Sequence, residues 1–237
     1  MKLTLVGLPL GNINDISLRA IEKLKQALVV ICEDTRVFHR LWQKLMNLGY
    51  LPSAFDGKLI VLNDFNEKYM ADKIAEEIKD YEEVILVSDA GMPIFSDPGF
   101  RLVRRMIEVG QEIDVIPGPT AATTSLALSG LSSDRVLFLG FLPKKQGKRS
   151  QVFEYIKNLS LETTVIFYEA PARIEKTLRE MLEALGERDA SLVRELTKEH
   201  QEVIRGNLQE ILTIVKNKKI KGELVLLLRA GGKVVNP

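Results

Sequence analysis

What most constrains this chain is an alternation. Short apolar runs, each long enough for one strand, recur between longer amphipathic stretches. Leu3–Val6, Leu28–Cys32, Leu59–Leu62, Val84–Ser88 and Ile113–Ile116 form a first series. Val136–Gly140, Thr164–Tyr168, Ser191–Arg194 and Glu223–Leu228 form a second. Unbroken runs such as Val84-Ile85-Leu86-Val87 suit strands covered on both faces. Between them, Ile16–Lys25 puts Ile16, Leu18, Ala20, Ile21 and Leu24 on one side, with Asp15 placed to cap the helix. Met70–Ile78 and Lys176–Leu185 have the same character. Strands alternating with helices predict an α/β protein with open, largely parallel sheets. Ile116-Pro117-Gly118-Pro119-Thr120 continues neither a ladder nor a helix, and Thr120 then caps a helix through Ala121–Leu128. Two domains are expected, 1–117 and 118–237.

Composition narrows the function classes. Lys plus Arg number 33 and Asp plus Glu 32, a net charge of +1. That excludes a histone-like or tail-driven nucleic-acid binder and leaves room for a local basic patch. One cysteine, Cys32, makes no internal disulfide, and His39 and His200 show no metal spacing. No run approaches the ~20 apolar residues of a membrane span. Gly7, Pro9 and Gly11 break the N-terminal apolar run before a signal core of ~7–15 residues is reached. A cytoplasmic protein without a metal is expected.

Four stretches carry candidate chemistry. Gly7-Leu8-Pro9-Leu10-Gly11-Asn12 joins a strand to a helix, where open α/β sheets place ligands, though a plain turn fits it as well. In Ser88–Gly99, Asp97 before Pro98 reads chiefly as a helix cap, whereas Asp89 at the strand end is available to a ligand hydroxyl or amine. Glu33-Asp34-Thr35-Arg36 reads either as a local ion pair with Asp34 or Thr35 capping a helix, or as a substrate cluster in which Arg36 holds a phosphate. Lys144, Lys145, Lys148 and Arg149 form a basic loop, either solvated or set against an anionic backbone. Cys32 and Trp42 read as core.

Together these stretches resemble the ribosomal RNA small subunit methyltransferase I family. Gly7–Ile16, Glu33–Arg36 and Ser88–Gly99 occur in its order, followed by Pro117–Ala121, Gly140–Pro143, Tyr168–Pro171 and Arg194–Lys198. The resemblance implies a tetrapyrrole-methylase fold, two α/β domains with S-adenosylmethionine in the cleft between them. It implies 2′-O-methylation of a cytidine ribose in small-subunit ribosomal RNA by a cytoplasmic homodimer. By the same resemblance, Pro9, Asp89, Met92, Ile94, Ser96, Thr120, Ala121 and Tyr168 hold the cofactor. Glu33, Arg36, Glu169 and Lys198 serve the substrate side, and the basic loop contacts the RNA or the small ribosomal subunit. Leu8 and Met92 stand where the family more often has threonine. Ala172 stands where a histidine is common, so no role is carried to that position. A tetrapyrrole-type methyltransferase and a non-catalytic RNA-binding assembly factor are the alternatives.

Overall fold

A computed structural model describes Met1–Gly231. Residues 232–237, the end of the second expected domain, lie outside the described residues. The chain divides into two compact units, Met1–Thr120 and Ala121 onward, so the division falls after Thr120 where Pro117 was the expected last residue.

In the first unit, β1 (Lys2–Val6), β2 (Val29–Cys32), β3 (Lys58–Val61), β4 (Glu83–Leu86) and β5 (Glu112–Ile116) form one sheet. Their order is β3-β2-β4-β1-β5, and every pair is parallel. The helices are α1 (Leu18–Lys25), α2 (Thr35–Asn47), α3 (Glu67–Ile78) and α4 (Phe100–Glu108). Alternate residues of each strand point to opposite faces, so the unbroken apolar runs feed two cores. Leu3, Ile31, Val84 and Leu86 pack with Ile74, Ile78, Leu102 and Met106 of α3 and α4. Val6, Val30, Cys32 and Ile85 pack with Ala20, Leu24, Phe38, Trp42 and Leu45 of α1 and α2. Each fully buried Leu or Ile contributes ~1.5–3 kcal/mol.

Two helix starts differ from expectation. Asp15 lies in a 3-10 turn, and the α1 cap is Ser17, whose Oγ accepts from the Ala20 N–H at 3.1 Å. Asp97 does not cap α4. The cap position is Gly99, and the Glu67 carboxylate reaches across from α3 to accept from Gly99 N at 2.9 Å and Arg101 N at 2.8 Å. A borrowed carboxylate satisfies the orphan N–H groups and suits the positive helix end.

The second unit contains α5 (Ala121–Ser129), β6 (Val136–Phe141), α6 (Gln146–Lys157), β7 (Thr163–Glu169) and α7 (Pro171–Leu185). It continues with β8 (Asp189–Arg194), β9 (Glu202–Asn207), α8 (Leu208–Asn217) and β10 (Leu224–Ala230). The sheet order is β6-β7-β10-β8-β9. Only β6–β7 is parallel and the other three pairings are antiparallel, so this sheet is mixed rather than largely parallel. Its core joins Val165, Phe167, Leu192, Leu226 and Leu228 to Phe153, Ile174, Leu178, Met181, Ile211 and Leu212 of α6, α7 and α8. The expected strands are present with ends shifted by a residue or two, and β9 is additional.

Candidate active site

The first sheet has a switch point. After β2 the chain leaves toward β3 at one edge; after the adjacent β4 it leaves toward β5 at the other. Such divergence opens a crevice at the carboxyl ends of the strands. Four loops meet at that end of the sheet: those following β1, β2, β4 and β5.

Backbone contacts hold these loops together. Leu8 N donates to Gly91 O at 2.8 Å and Gly91 N to Leu8 O at 3.1 Å. Gly7 N donates to Ile116 O at 3.0 Å, and the Met92 sulfur accepts from Gly118 N at 3.1 Å. Gly7 and Gly118 cross so closely that a Cβ on Gly7 would lie 2.6 Å from Gly118 Cα. Only two glycines permit that approach. Between Gly91 and Gly99, Ile94 (φ 75°) and Ser96 (φ 69°) occupy the left-handed region, an outlier above all for a β-branched isoleucine. Pro9 is buried, Met92 and Ile94 are half-buried, and Ser96 and Asp89 are exposed.

Carboxylates gather in the crevice. Glu33 follows β2, and its Oε1 accepts from Asp89 N at 3.2 Å across the switch point. Burial, then the charges of Asp97, Asp89 and Asp64, push the Glu33 carboxyl up to about 7 despite that hydrogen bond. Burial raises Asp97 to about 6, although the Ser88 hydroxyl bonds its carboxylate. Asp89 is also raised, mainly by desolvation, against a backbone N–H from Asp34. Asp34 goes the other way, to about 2, because the Arg36 side chain and backbone donate to it. Cys32, buried at the end of β2, is pushed up to about 12 by desolvation and these same carboxylates, which leaves it a thiol. Among the described residues no group of three or more His, Cys, Asp and Glu side chains is placed to hold a metal ion.

The Glu33–Arg36 segment takes up its local reading, an ion pair and a helix cap. Asp34 caps α2 and pairs with Arg36 Nη2 at 2.5 Å, while Glu33 faces the crevice. The Arg36 guanidinium remains exposed beyond that pair. Asp97 is the member that sequence reasoning assigned to capping. Asp64 lies three residues past the end of β3, and a carboxylate just after an apolar run is the sequence signal for it.

In the second unit the candidates separate. Ala121 opens α5. Tyr168 is half-buried on β7, edge-on to Phe138 at 5.0 Å and Phe141 at 5.5 Å. Lys198 Nζ lies 3.0 Å from both Glu195 and Glu223; burial lowers its pKa, but the two carboxylates outweigh that and raise it overall. Glu195 and Thr197 beside it also have positive φ, 49° and 62°.

Two expectations are corrected here. Glu169 is not turned to a substrate. It is 2% exposed, and its carboxylate accepts from Arg173 Nε at 2.7 Å, Thr177 Oγ1 at 2.7 Å and Ala170 N at 2.7 Å. Arg149 is not a phosphate ligand. It is 5% exposed, paired with Glu180 at 2.7 Å, and it donates to Pro143 O at 3.1 Å and Lys144 O at 2.7 Å. Arg173 holds Leu142 O at 2.8 Å in the same way. The basic stretch is therefore a clamped turn running into the first turn of α6, with Lys144, Lys145 and Lys148 exposed.

The family described as Tetrapyrrole (Corrin/Porphyrin) Methylases matches residues 2–212. A ribosomal RNA small subunit methyltransferase I of Thermotoga maritima is 38% identical over 228 residues, 96% of this chain and 97% of that protein. One from Rickettsia prowazekii is 40% identical over 234 residues, 99% of this chain and 80% of that protein. Among solved structures, a uroporphyrin-III C-methyltransferase from Thermus thermophilus complexed with S-adenosyl homocysteine has a TM-score of 0.62 at 18% identity, covering 96% of this chain and 92% of that one. A diphthine synthase has a TM-score of 0.69 at 16% identity, covering 97% and 90%. These two likenesses show the fold.

Proposed function

We propose a reaction from one premise: the chain belongs to the ribosomal RNA small subunit methyltransferase I family, within the tetrapyrrole methylases. The reaction is S-adenosylmethionine-dependent transfer of a methyl group to the ribose 2′-oxygen of a cytidine in small-subunit ribosomal RNA. The observation that carries it is the place of Glu33, a half-buried carboxylate at the switch point whose Oε1 accepts from Asp89 N at 3.2 Å and whose pKa is pushed up by burial.

The first unit suits the cofactor. Asp89 is exposed at a strand end, as a ribose diol or an amino group requires, and the close crossing of Gly7 and Gly118 fixes the neighbouring loops. Pro9, Met92, Ile94, Ser96, Thr120, Ala121 and Tyr168 are assigned to the cofactor on the family resemblance. The cofactor supplies an electrophilic methyl group.

Methylating a hydroxyl needs placement and a proton acceptor. A group with a pKa near 7 is partly ionised at neutral pH and still basic enough to take the proton. Glu33 has that property and Asp34 does not. Arg36 is exposed on the next turn and suits a flanking phosphate. Lys144, Lys145 and Lys148 suit the RNA backbone, and Lys198 is assigned to the substrate side. The protein is proposed to act in the cytoplasm as a homodimer on RNA or the small ribosomal subunit. No helix of the described residues is long and apolar enough to cross a membrane.

The test is direct. Small ribosomal subunits are incubated with the protein and methyl-labelled cofactor, then digested to nucleosides. Label on 2′-O-methylcytidine that is lost with Glu33→Gln is the expected result. Label on a base, or only on small-molecule acceptors, refutes the proposal.

A further inference from the structure

Phe65 is 93% exposed. It is nevertheless held on a fixed turn. Asn63 Oδ1 accepts from Phe65 N at 3.1 Å and Asn66 N at 3.2 Å, Asn66 Oδ1 accepts from Asn63 N at 2.8 Å, and Asn66 Nδ2 donates to Val61 O at 3.0 Å. The turn follows β3, so it stands at the carboxyl end of the sheet with the crevice. Its Asp64 carboxylate is near enough to raise the carboxyls of both Glu33 and Asp97.

Two more exposed rings belong to the same end. Tyr69 is 69% exposed in the first turn of α3, and Phe100 is 59% exposed at the start of α4. Glu67 ties these helix starts together through Gly99 N and Arg101 N, the amides on either side of Phe100. Cations are interleaved with the rings. Lys68 Nζ lies 5.6 Å from the Tyr69 ring centroid, and Arg101 is exposed next to Phe100.

We infer that Phe65, with Tyr69 and Phe100 at the same rim, is a stacking platform for an unpaired nucleobase of the RNA substrate. The inference rests on the proposed RNA methylation and assigns it a second binding element. Drawing the target nucleotide out of its stack toward the half-buried Glu33 costs a few kcal/mol. Aromatic faces replace lost base stacking without demanding a sequence, and cations between them take the flanking phosphates. A face that docks a second copy is depleted of charge at its centre. Here Asp64, Lys68 and Arg101 are exposed beside the rings, and the rim adjoins the crevice where the RNA ribose is proposed to react, so a nucleic acid strand is the occupant we assign.

The experiment measures initial rates of methyl transfer to small ribosomal subunits for wild type, Phe65→Ala, Phe65→Leu and Phe65→Trp. Cofactor affinity by calorimetry and oligomeric state by sedimentation accompany each. Loss of one stacked base raises KM by about 5- to 100-fold in Phe65→Ala, with kcat and cofactor affinity little changed. Phe65→Leu, apolar but without a π face, behaves like Phe65→Ala, and Phe65→Trp stays near wild type. An unchanged KM in Phe65→Ala overturns the platform, as does a Phe65→Leu protein that matches wild type. Dissociation of a wild-type oligomer in parallel with the loss of activity reassigns the face to a second copy. Wild-type protein that transfers nothing to RNA refutes the functional reading itself, whereas wild-type transfer with an unaffected Phe65→Ala refutes only the platform.

Discussion

Replacing Glu33 by glutamine separates chemistry from stability. The amide keeps an oxygen to accept from Asp89 N and loses only the charge. The carboxyl rises from 4.5 to about 7 in the fold, so the folded state holds its proton more tightly than the unfolded chain. As pH rises from about 4.5, the unfolded state ionises first, and stability falls until the folded carboxyl has also ionised near 7. At ~1.36 kcal/mol per pH unit that loss is ~3 kcal/mol for a fully buried group. Glu33 is only half-buried, and solvent screening reduces the figure to about 1–2 kcal/mol. Glu33→Gln is therefore expected to match wild type near pH 4 and exceed it by about 1–2 kcal/mol at pH 8, while methyl transfer falls ~10²- to 10⁴-fold. Urea unfolding at pH 4.5, 6, 7 and 8 reads the first effect, and transfer to small ribosomal subunits the second. A variant less stable than wild type at pH 8, or equally active, would show that Glu33 is an ordinary ion-pairing carboxylate.

Asp89→Ala is expected to weaken S-adenosylmethionine binding in a protein that stays folded, since the exposed side chain packs no core; calorimetry checks it. Replacing Lys144, Lys145 and Lys148 together by alanine should flatten the salt dependence of RNA binding by about one unit of slope per lost phosphate contact, read by titration at several ionic strengths. Gly118→Ala places a Cβ 2.7 Å from Gly7 Cα, against backbone that cannot swing away, and is expected to lower stability by ~1–3 kcal/mol in urea unfolding.

Much of the fold was legible because both cores of the first unit are built from unbroken apolar runs. The second sheet was harder for a topological reason. β7, α7 and β8 read as a parallel crossover, and β7 and β8 do run the same way. β10 arrives last in sequence and inserts between them, antiparallel to both. Nothing in Leu224–Leu228 announces that direction, since an apolar run fits either. β9 escaped notice because Glu202-Val203-Ile204-Arg205-Gly206-Asn207 is charged, as an edge strand paired only with β8 tends to be.

The site was legible where a loop leaves a strand and obscured where side-chain direction decides. Arg149 reads as one of four basic residues, yet it shares the buried face of α6 with Phe153 and Ile156, four and seven positions on. Helical spacing held that information. Glu169 likewise continues the inward alternation of Val165 and Phe167 along β7, so the period of the strand already turned it into the core. Asp97 shows the opposite error. A Ser-Asp-Pro-Gly string caps helices well, and only the distant Glu67, which takes over that duty, leaves Asp97 in the crevice. The strained backbone at Ile94 and Ser96 fits the same account. Non-glycine residues there cost ~1–3 kcal/mol each. They persist because the Leu8–Gly91 bridge and the Gly118–Met92 hydrogen bond fix one end of the loop while the Glu67–Gly99 bond fixes the other. The crevice is thus set by long-range contacts between loops, which local sequence patterns do not encode.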